Sequence, residues 1–176
     1  MTSTIVRRDK VFETPFFRLL GKHLAGDEGD PYYSLELPDY VSVVAQTTNG
    51  DVILVRQFRP AVETVTLELP AGLVDAGDTP ENTAIRELKE ETGFVADYVT
   101  LVGCLKSDTG RLGNRLWVYF APAAVRDAAA VPEAGMEVLV QTRAQLARAL
   151  ADGTFDHALH VAALLLAVQL GHLTLS

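Results

Sequence analysis

The chain has a single cysteine, Cys104, so no internal disulfide can form and the fold must be held by its core. Its most apolar run, Val161 to Leu170, is too short to span a bilayer and is flanked by His160 and His172. No secretory leader opens the sequence, so the expected compartment is the cytoplasm, with no membrane partner. Positive charge is scarce: 15 Lys and Arg face 23 Asp and Glu, for a formal net charge of −8. That balance argues against non-specific nucleic-acid binding, which needs a basic patch. It does not exclude an anionic substrate, because bound metal can invert the local field. A zinc set is missing too. His157 and His160 stand three apart on an expected C-terminal helix, lack a third ligand and read as packing. There is no serine or cysteine nucleophile motif, no internal repeat and no low-complexity tract.

What is present suffices for one core. Apolar residues make up 48% of 176, which fits a single compact domain with a small appended piece. Short strand-like runs cover Thr4–Phe12, Phe16–Leu24 and Tyr32–Leu37, the last two separated by a turn cluster from Gly26 to Pro31. This region is too poor in apolar residues to bury itself and must pack on something else. Pro38-Asp39 marks the expected boundary between residues 1–38, a small β-strand unit, and residues 39–176, a catalytic domain. Tyr40–Gln46 and Val52–Phe58 are strands joined at Asn49-Gly50, a strong hairpin signal. Thr64–Leu69, Tyr98–Leu105, Leu116–Ala121 and Glu137–Gln141 follow. Trp117 and Tyr119 alternate along their strand as core residues. A polar loop spans 107–114, and a mobile loop is expected over 123–135. Thr142 caps a helix through Ala151, and Phe155 or Asp156 opens the final helix to about Leu170. Strands with two groups of helices imply an α/β/α sandwich.

The stretch that carries the chemistry is Gly72 to Phe94, GLVDAGDTPENTAIRELKEETGF. Thr79 suits an N-cap, Pro80 the first helical position, and Glu81 the positive end of the dipole. Gly93 suits a left-handed C-cap, and Ala84, Ile85 and Leu88 form an apolar stripe. Glu87 and Glu91 are one turn apart on one face, with Glu90 beside them. Like charges so placed repel, so the cluster costs stability unless a cation sits between them. Hard oxygen ligands of this kind suit Mg²⁺, with Mn²⁺ the alternative.

This stretch resembles the box of the Nudix hydrolase family. Gly72 opens it, Asp78 holds the first acid position, Arg86 to Glu91 match, and Gly93-Phe94 close it. The departure is Asp78, where the family usually has Glu. The resemblance implies a mixed sheet between helices with a small N-terminal antiparallel sheet. It also implies that the acid at position 78 pairs with Arg86. Upstream, Val55-Arg56-Gln57-Phe58-Arg59-Pro60 and Leu67-Glu68-Leu69-Pro70-Ala71-Gly72 resemble the ADP-ribose pyrophosphatase branch. On that resemblance Glu87, Glu90 and Glu91 hold Mg²⁺ together with the Ala71 backbone carbonyl, Arg86 belongs to the catalytic set, and Arg59 contacts substrate phosphate. A guanidinium at a strand end can fork onto two phosphate oxygens. Arg56, which alternates differently along the strand, reads as a surface residue. Glu68 is a further substrate-side candidate, acting on a water.

The branch usually has a proline-containing segment about fifteen residues after the box. Here Ser107-Asp108-Thr109-Gly110-Arg111 stands there instead, so the expected substrate widens from ADP-ribose to nucleoside diphosphate sugars. Arg111 and Arg115 are candidates for the distal phosphate or sugar. The products would be a nucleoside monophosphate and a sugar phosphate. Competing readings are a nucleoside triphosphate pyrophosphatase and a sensor that binds ADP-ribose without cleaving it. The Glu-Leu-Pro-Ala-Gly context counts against the first. The retained glutamates, with no length left for an effector domain, count against the second. The resemblance further implies a catalytic base on the loop before the last strand. Its carboxylates are Asp127, Glu133 and Glu137, with Glu133 the first choice and Glu137 the second. A homodimer is also implied, the N-terminal strands packing across the two-fold so that Phe16, Phe17 or Tyr32 stacks on a base.

Overall fold

The computed structural model describes residues 4–175. Strands β1 (Ile5–Glu13), β2 (Arg18–Leu24) and β3 (Tyr32–Glu36) form a separate antiparallel sheet in that order. The larger sheet is mixed. β4 (Tyr40–Thr47) runs parallel to β10 (Arg115–Arg126) and antiparallel to β5 (Val52–Arg59), to which the Asn49-Gly50 turn joins it. β11 (Glu137–Gln141) closes one side against β5. β9 (Thr100–Lys106) and the two-residue β8 (Phe94–Val95) pair with different stretches of β10.

β4 and β5 stay paired for only two registered positions, Ala45↔Ile53 and Gln46↔Val52. β6 (Thr64–Glu68) then pairs with the far half of β5, and β7 (Ala71–Leu73) with the near half of β4. The divergence of two strands therefore seats the Glu68-to-Leu73 segment in the sheet.

Alternation on the strands sorts side chains to two faces. Val41, Val43, Ala45, Tyr119 and Ala121 form one buried cluster with Ala84 and Leu88 of α1 (Pro80–Thr92). Val44, Leu116, Val118 and Phe120 form the other, with Leu146 of α2 (Arg143–Asp152) and Ala163 and Leu164 of α3 (Ala158–Gln169). This is the expected α/β/α sandwich. No helix among the described residues is long and apolar enough to cross a membrane.

Several expectations need correction. Strand β10 does not stop at Ala121. Ala123 takes a positive φ of 48° at a register shift, and the strand resumes to meet β8, so the expected loop loses its first residues to the sheet. The rest of that loop is anchored rather than free. The Asp127 and Glu133 N–H groups donate to the carbonyls of Gly93 and Glu90, and Lys89 pairs with Asp127 at 3.0 Å. Ile85 is exposed, so the buried stripe of α1 runs through Ala84, Leu88 and Glu91. Trp117 is only partly buried, its indole N–H donating to Asp39 at 3.0 Å, whereas Tyr119 is buried. α3 begins at Ala158, two or three residues later than expected, with His157 as its N-cap.

Candidate active site

The site is assembled from α1, the 68–73 segment, the loop after β10 and the N-terminus of α3. α1 begins where Thr79 caps it, the hydroxyl accepting the Asn82 N–H at 3.2 Å, and ends at Gly93 with φ 71°. Glu87 and Glu91 point inward. Glu91 is 3% exposed and accepts the Ala71 N–H at 2.9 Å. Gly72 lies against Glu87 so closely that a Cβ there would fall 2.0 Å from the Glu87 carboxyl carbon. A glycine at this position is thus a requirement of contact, not of backbone angle.

Glu90 turns outward. Its carboxylate takes the Arg86 guanidinium at 2.8 Å, and Arg86 also meets Glu87 at 2.9 Å and Asp75 at 3.6 Å. The expected Asp78–Arg86 pair does not form. Asp78 instead accepts the Thr79 N–H at 2.8 Å and the Thr83 hydroxyl at 3.1 Å. The short side chain stays at the helix N-terminus, and Asp75 takes the arginine.

Burial raises the Glu91 carboxyl to about 8, and the charges of Glu87 and Glu133 push the same way against the Ala71 N–H and Arg59. Glu87 is raised as well, by burial above all. Two buried carboxylates that resist ionisation, with two others nearby, are a donor set that fits a divalent cation. Glu133 is brought to this group by its backbone bond to the Glu90 carbonyl. Glu137 instead pairs with Arg56 across β11 and β5, at 2.8 Å.

Arg59 is forked onto Glu68, Nε to Oε1 at 2.9 Å and Nη2 to Oε2 at 2.7 Å. The Thr66 hydroxyl donates to Oε1 at 2.6 Å. Burial alone would raise the Glu68 carboxyl, but these bonds and the Arg59 charge hold it at about 2. Arg59 and Glu68 line a cavity of about 360 Å³ with Thr64, Thr66, Asp156 and His157. A smaller one of about 160 Å³ reaches Tyr40, Ala71, Gly72 and Leu73.

Arg111 lies elsewhere, its guanidinium 4.6 Å over the Tyr32 ring, whose hydroxyl donates to the Gly110 carbonyl. Tyr32 is thereby engaged in tying the N-terminal sheet to the 107–114 loop. Arg115 is exposed, its backbone N–H on Asp39. Phe16 and Phe17 line a third cavity, about 510 Å³, with Thr14, Leu37 and Val74.

Sequence reasoning set His157 and His160 aside as packing. The structure buries His160 yet places both beside Glu68, with one ligand atom of each of the three residues within 4.8 Å of the others. Their spacing in the sequence was visible, but Glu68 lies 89 residues before His157 and only the fold joins them. Asp75 was likewise missed, because a loop acid carries no periodic signal.

A profile described as NUDIX domain matches residues 36–157. An ADP-ribose pyrophosphatase of Bacillus subtilis (strain 168) is 39% identical over 84 residues, 48% of this chain and 45% of that protein. An ADP-ribose pyrophosphatase of Saccharomyces cerevisiae is 45% identical over 66 residues, 38% of this chain and 29% of that protein. A mouse ADP-sugar pyrophosphatase is 37% identical over 78 residues, 44% and 36% of the two chains. The matched segment thus spans less than half the length of these relatives. A solved structure described as an ADP compounds hydrolase superposes with a TM-score of 0.80 at 24% identity, over 96% of this chain and 94% of that one. At that identity the likeness speaks for the fold.

Proposed function

The chain belongs to the NUDIX domain family, and on that premise we propose that it is a Mg²⁺-dependent pyrophosphatase of nucleoside diphosphate sugars, with Mn²⁺ as the alternative ion. The observation that carries this reading is the convergence of Glu87, Glu91 and Glu133 beside the Ala71-Gly72 segment, next to the cavity that Arg59 lines. The names of the ADP-ribose and ADP-sugar pyrophosphatase relatives support the substrate class.

Glu87, Glu91 and the Ala71 carbonyl would hold the cation, with Glu90 assisting. When bound, it neutralises diphosphate charge and activates water. The rest falls to the chain's own groups. Arg86 holds Glu87 and Glu90 in place from the far side. Arg59 offers its guanidinium to a phosphate oxygen from beside the cavity. Glu133 accepts the proton of the attacking water. Little of this is covalent chemistry by the protein, so positioning and charge do most of the work. The products are a nucleoside monophosphate and a sugar phosphate. The protein acts as a homodimer in the cytoplasm, residues 1–38 serving dimerisation.

Incubation with ADP-ribose, UDP-glucose, GDP-mannose and a nucleoside triphosphate, with Mg²⁺ and with chelator, tests the reading. Release of nucleoside monophosphate from a diphosphate sugar, abolished by chelator, is expected. Cleavage of the triphosphate alone, or binding of ADP-ribose without cleavage, would replace it.

A further inference from the structure

The trio Glu68, His157 and His160 has the composition of a transition-metal site; all three line the smaller cavity of about 160 Å³, and Glu68 and His157 also line the one of about 360 Å³. Its hydrogen bonds point elsewhere. Leu69 is fully buried, and its N–H donates to Nδ1 of His160 at 3.1 Å. The next residue, Pro70, has no N–H, so this bond is the last one available before the Ala71 N–H reaches Glu91. An Nδ1 that accepts cannot carry a proton. The His160 ring is therefore neutral with its proton on Nε2. Burial, which lowers its pKa to about 3, agrees. His157 is in the same state, because its Nδ1 accepts the His160 N–H at 3.3 Å as the helix cap. The two rings stack at 3.8 Å between centroids, 19° from parallel.

Each ring thus has a donor left over and no lone pair for a metal. A ligating histidine donates through its second nitrogen; here the second nitrogen accepts. What the pair can serve is an anion, and Glu68 is one. Its carboxylate is 1% exposed and has about four lone-pair sites. Arg59 Nε and the Thr66 hydroxyl fill those of Oε1, while Oε2 has only Arg59 Nη2. One site is left open, and one ring nitrogen of each histidine lies within 4.8 Å of a Glu68 oxygen without a direct hydrogen bond to it, beside the cavity of about 160 Å³ that Glu68 and both histidines line.

We propose that His160, stacked on His157, is a positioning residue for Arg59: Nδ1 fixes the strand end at Leu69, and Nε2–H supports the Glu68 carboxylate, on which the guanidinium is forked, across that gap through a water in the cavity they share. A carboxylate held from behind cannot follow Arg59 or swing into the cavity, so the guanidinium keeps one orientation toward the incoming phosphate. This assignment rests on the reading that Arg59 meets the substrate diphosphate, but its core is testable without substrate.

Long-range ¹H–¹⁵N correlation spectra of the substrate-free protein near neutral pH report the tautomer of each ring. A bare Nδ1 and a protonated Nε2 on His160, unchanged by added Zn²⁺, are expected. An Nδ1–H tautomer, or stoichiometric Zn²⁺ shifting both rings, overturns the assignment whatever the enzyme's activity. The second arm uses His160→Asn, whose side-chain oxygen can still accept the Leu69 N–H but which lacks the distal donor. It should remain folded and raise KM for the cleaved diphosphate substrate roughly ten-fold, the size of one hydrogen bond to a charged group, with kcat little changed. In an Arg59→Ala background the same substitution should add almost nothing. Additive effects, or a loss of kcat at constant KM, would show that His160 does not act through Arg59. If His160→Asn fails to fold, the tautomer measurement still decides. Failure of every diphosphate sugar to react, with the tautomer as expected, would fault the substrate reading and leave the hydrogen-bond assignment standing.

Discussion

Glu91 is the residue on which charge and burial conflict most. With no cation its carboxyl titrates near 8 rather than the usual 4.5. Between those values the folded chain keeps a proton that the unfolded chain has released, so stability falls as pH rises through that window. The effect is on the order of 5 kcal/mol. Thermal melts in chelator should therefore drop from about pH 5 to about pH 9. Mg²⁺ should restore stability most at the alkaline end, where it binds the ionised form. Glu91→Gln should flatten the slope, remove the Mg²⁺ effect and abolish most turnover. Equal slopes in the parent and the variant would refute the account. Gly72→Ala makes a complementary test. The new methyl meets only the mobile end of Glu87, so the fold should survive with a loss of about 1 kcal/mol or less, while the displaced carboxylate costs about 10²-fold in kcat. A folded Gly72→Ala enzyme with normal turnover would show that Glu87 need not stand there. Both residues were legible in the sequence, because their spacing is local: one turn of helix for Glu87 and Glu91, the opening position of the box for Gly72. Asp75 and the His157–His160 pair were not. Their partners come from tertiary packing, and no periodicity in the chain encodes it.

At the scale of elements, legibility followed length. The hairpin of β4 and β5, the capped α1 and the helix capped at Thr142 all carry a pattern long enough to read, although the Gln145 side chain that completes the box at Thr142 emerged only in the structure. β7 and β8 have three and two residues, too few for any period, yet they decide where Ala71 sits and how β10 ends. The same limit hid the anchoring of the loop after β10, which depends on backbone bonds to the end of α1 rather than on side-chain type. That anchoring bears on the catalytic base. A loop fastened at Asp127 and Glu133 holds a glutamate near the box without closure from a distance. Glu133→Gln should then lower kcat by about 10²-fold, the lower end for a lost general base, with KM and Mg²⁺ affinity little changed. Glu137→Gln, which removes only the exposed pair with Arg56, should cost less than about 1 kcal/mol of stability and leave kcat within about two-fold. The reverse pattern would move the base to Glu137. If neither matters, it lies among the box glutamates.

For the whole molecule, the N-terminal sheet sets the question. β1 is an edge strand whose residues beyond Ile5 are all exposed, among them Val6, Val11 and Phe12, and Phe16 on the following turn is 73% exposed. An exposed edge that carries Val6, Val11 and Phe12 among its charged residues can pair with a second copy, and a sheet of three strands gains little by standing alone. Its ties to the rest of the chain run mainly through β3, by the Leu35 N–H on the Arg111 carbonyl and by Tyr32 against Arg111. β1 and the Phe16 turn are left free to cover a second copy. Burying one exposed phenylalanine is worth about 2 kcal/mol, so a two-fold contact that covers several apolar side chains on each chain can hold a dimer at micromolar concentration. Light scattering should give twice the chain mass, and Phe12→Asp should shift it to the monomer while the box region stays folded. If the partner completes the wall around Phe16, Phe17 and Val74, the monomeric variant should also show a raised KM with kcat nearly intact, because the box and Glu133 belong to one chain. A parent protein that is monomeric at micromolar concentration and fully active would remove the dimer from the account and leave that cavity to a single chain.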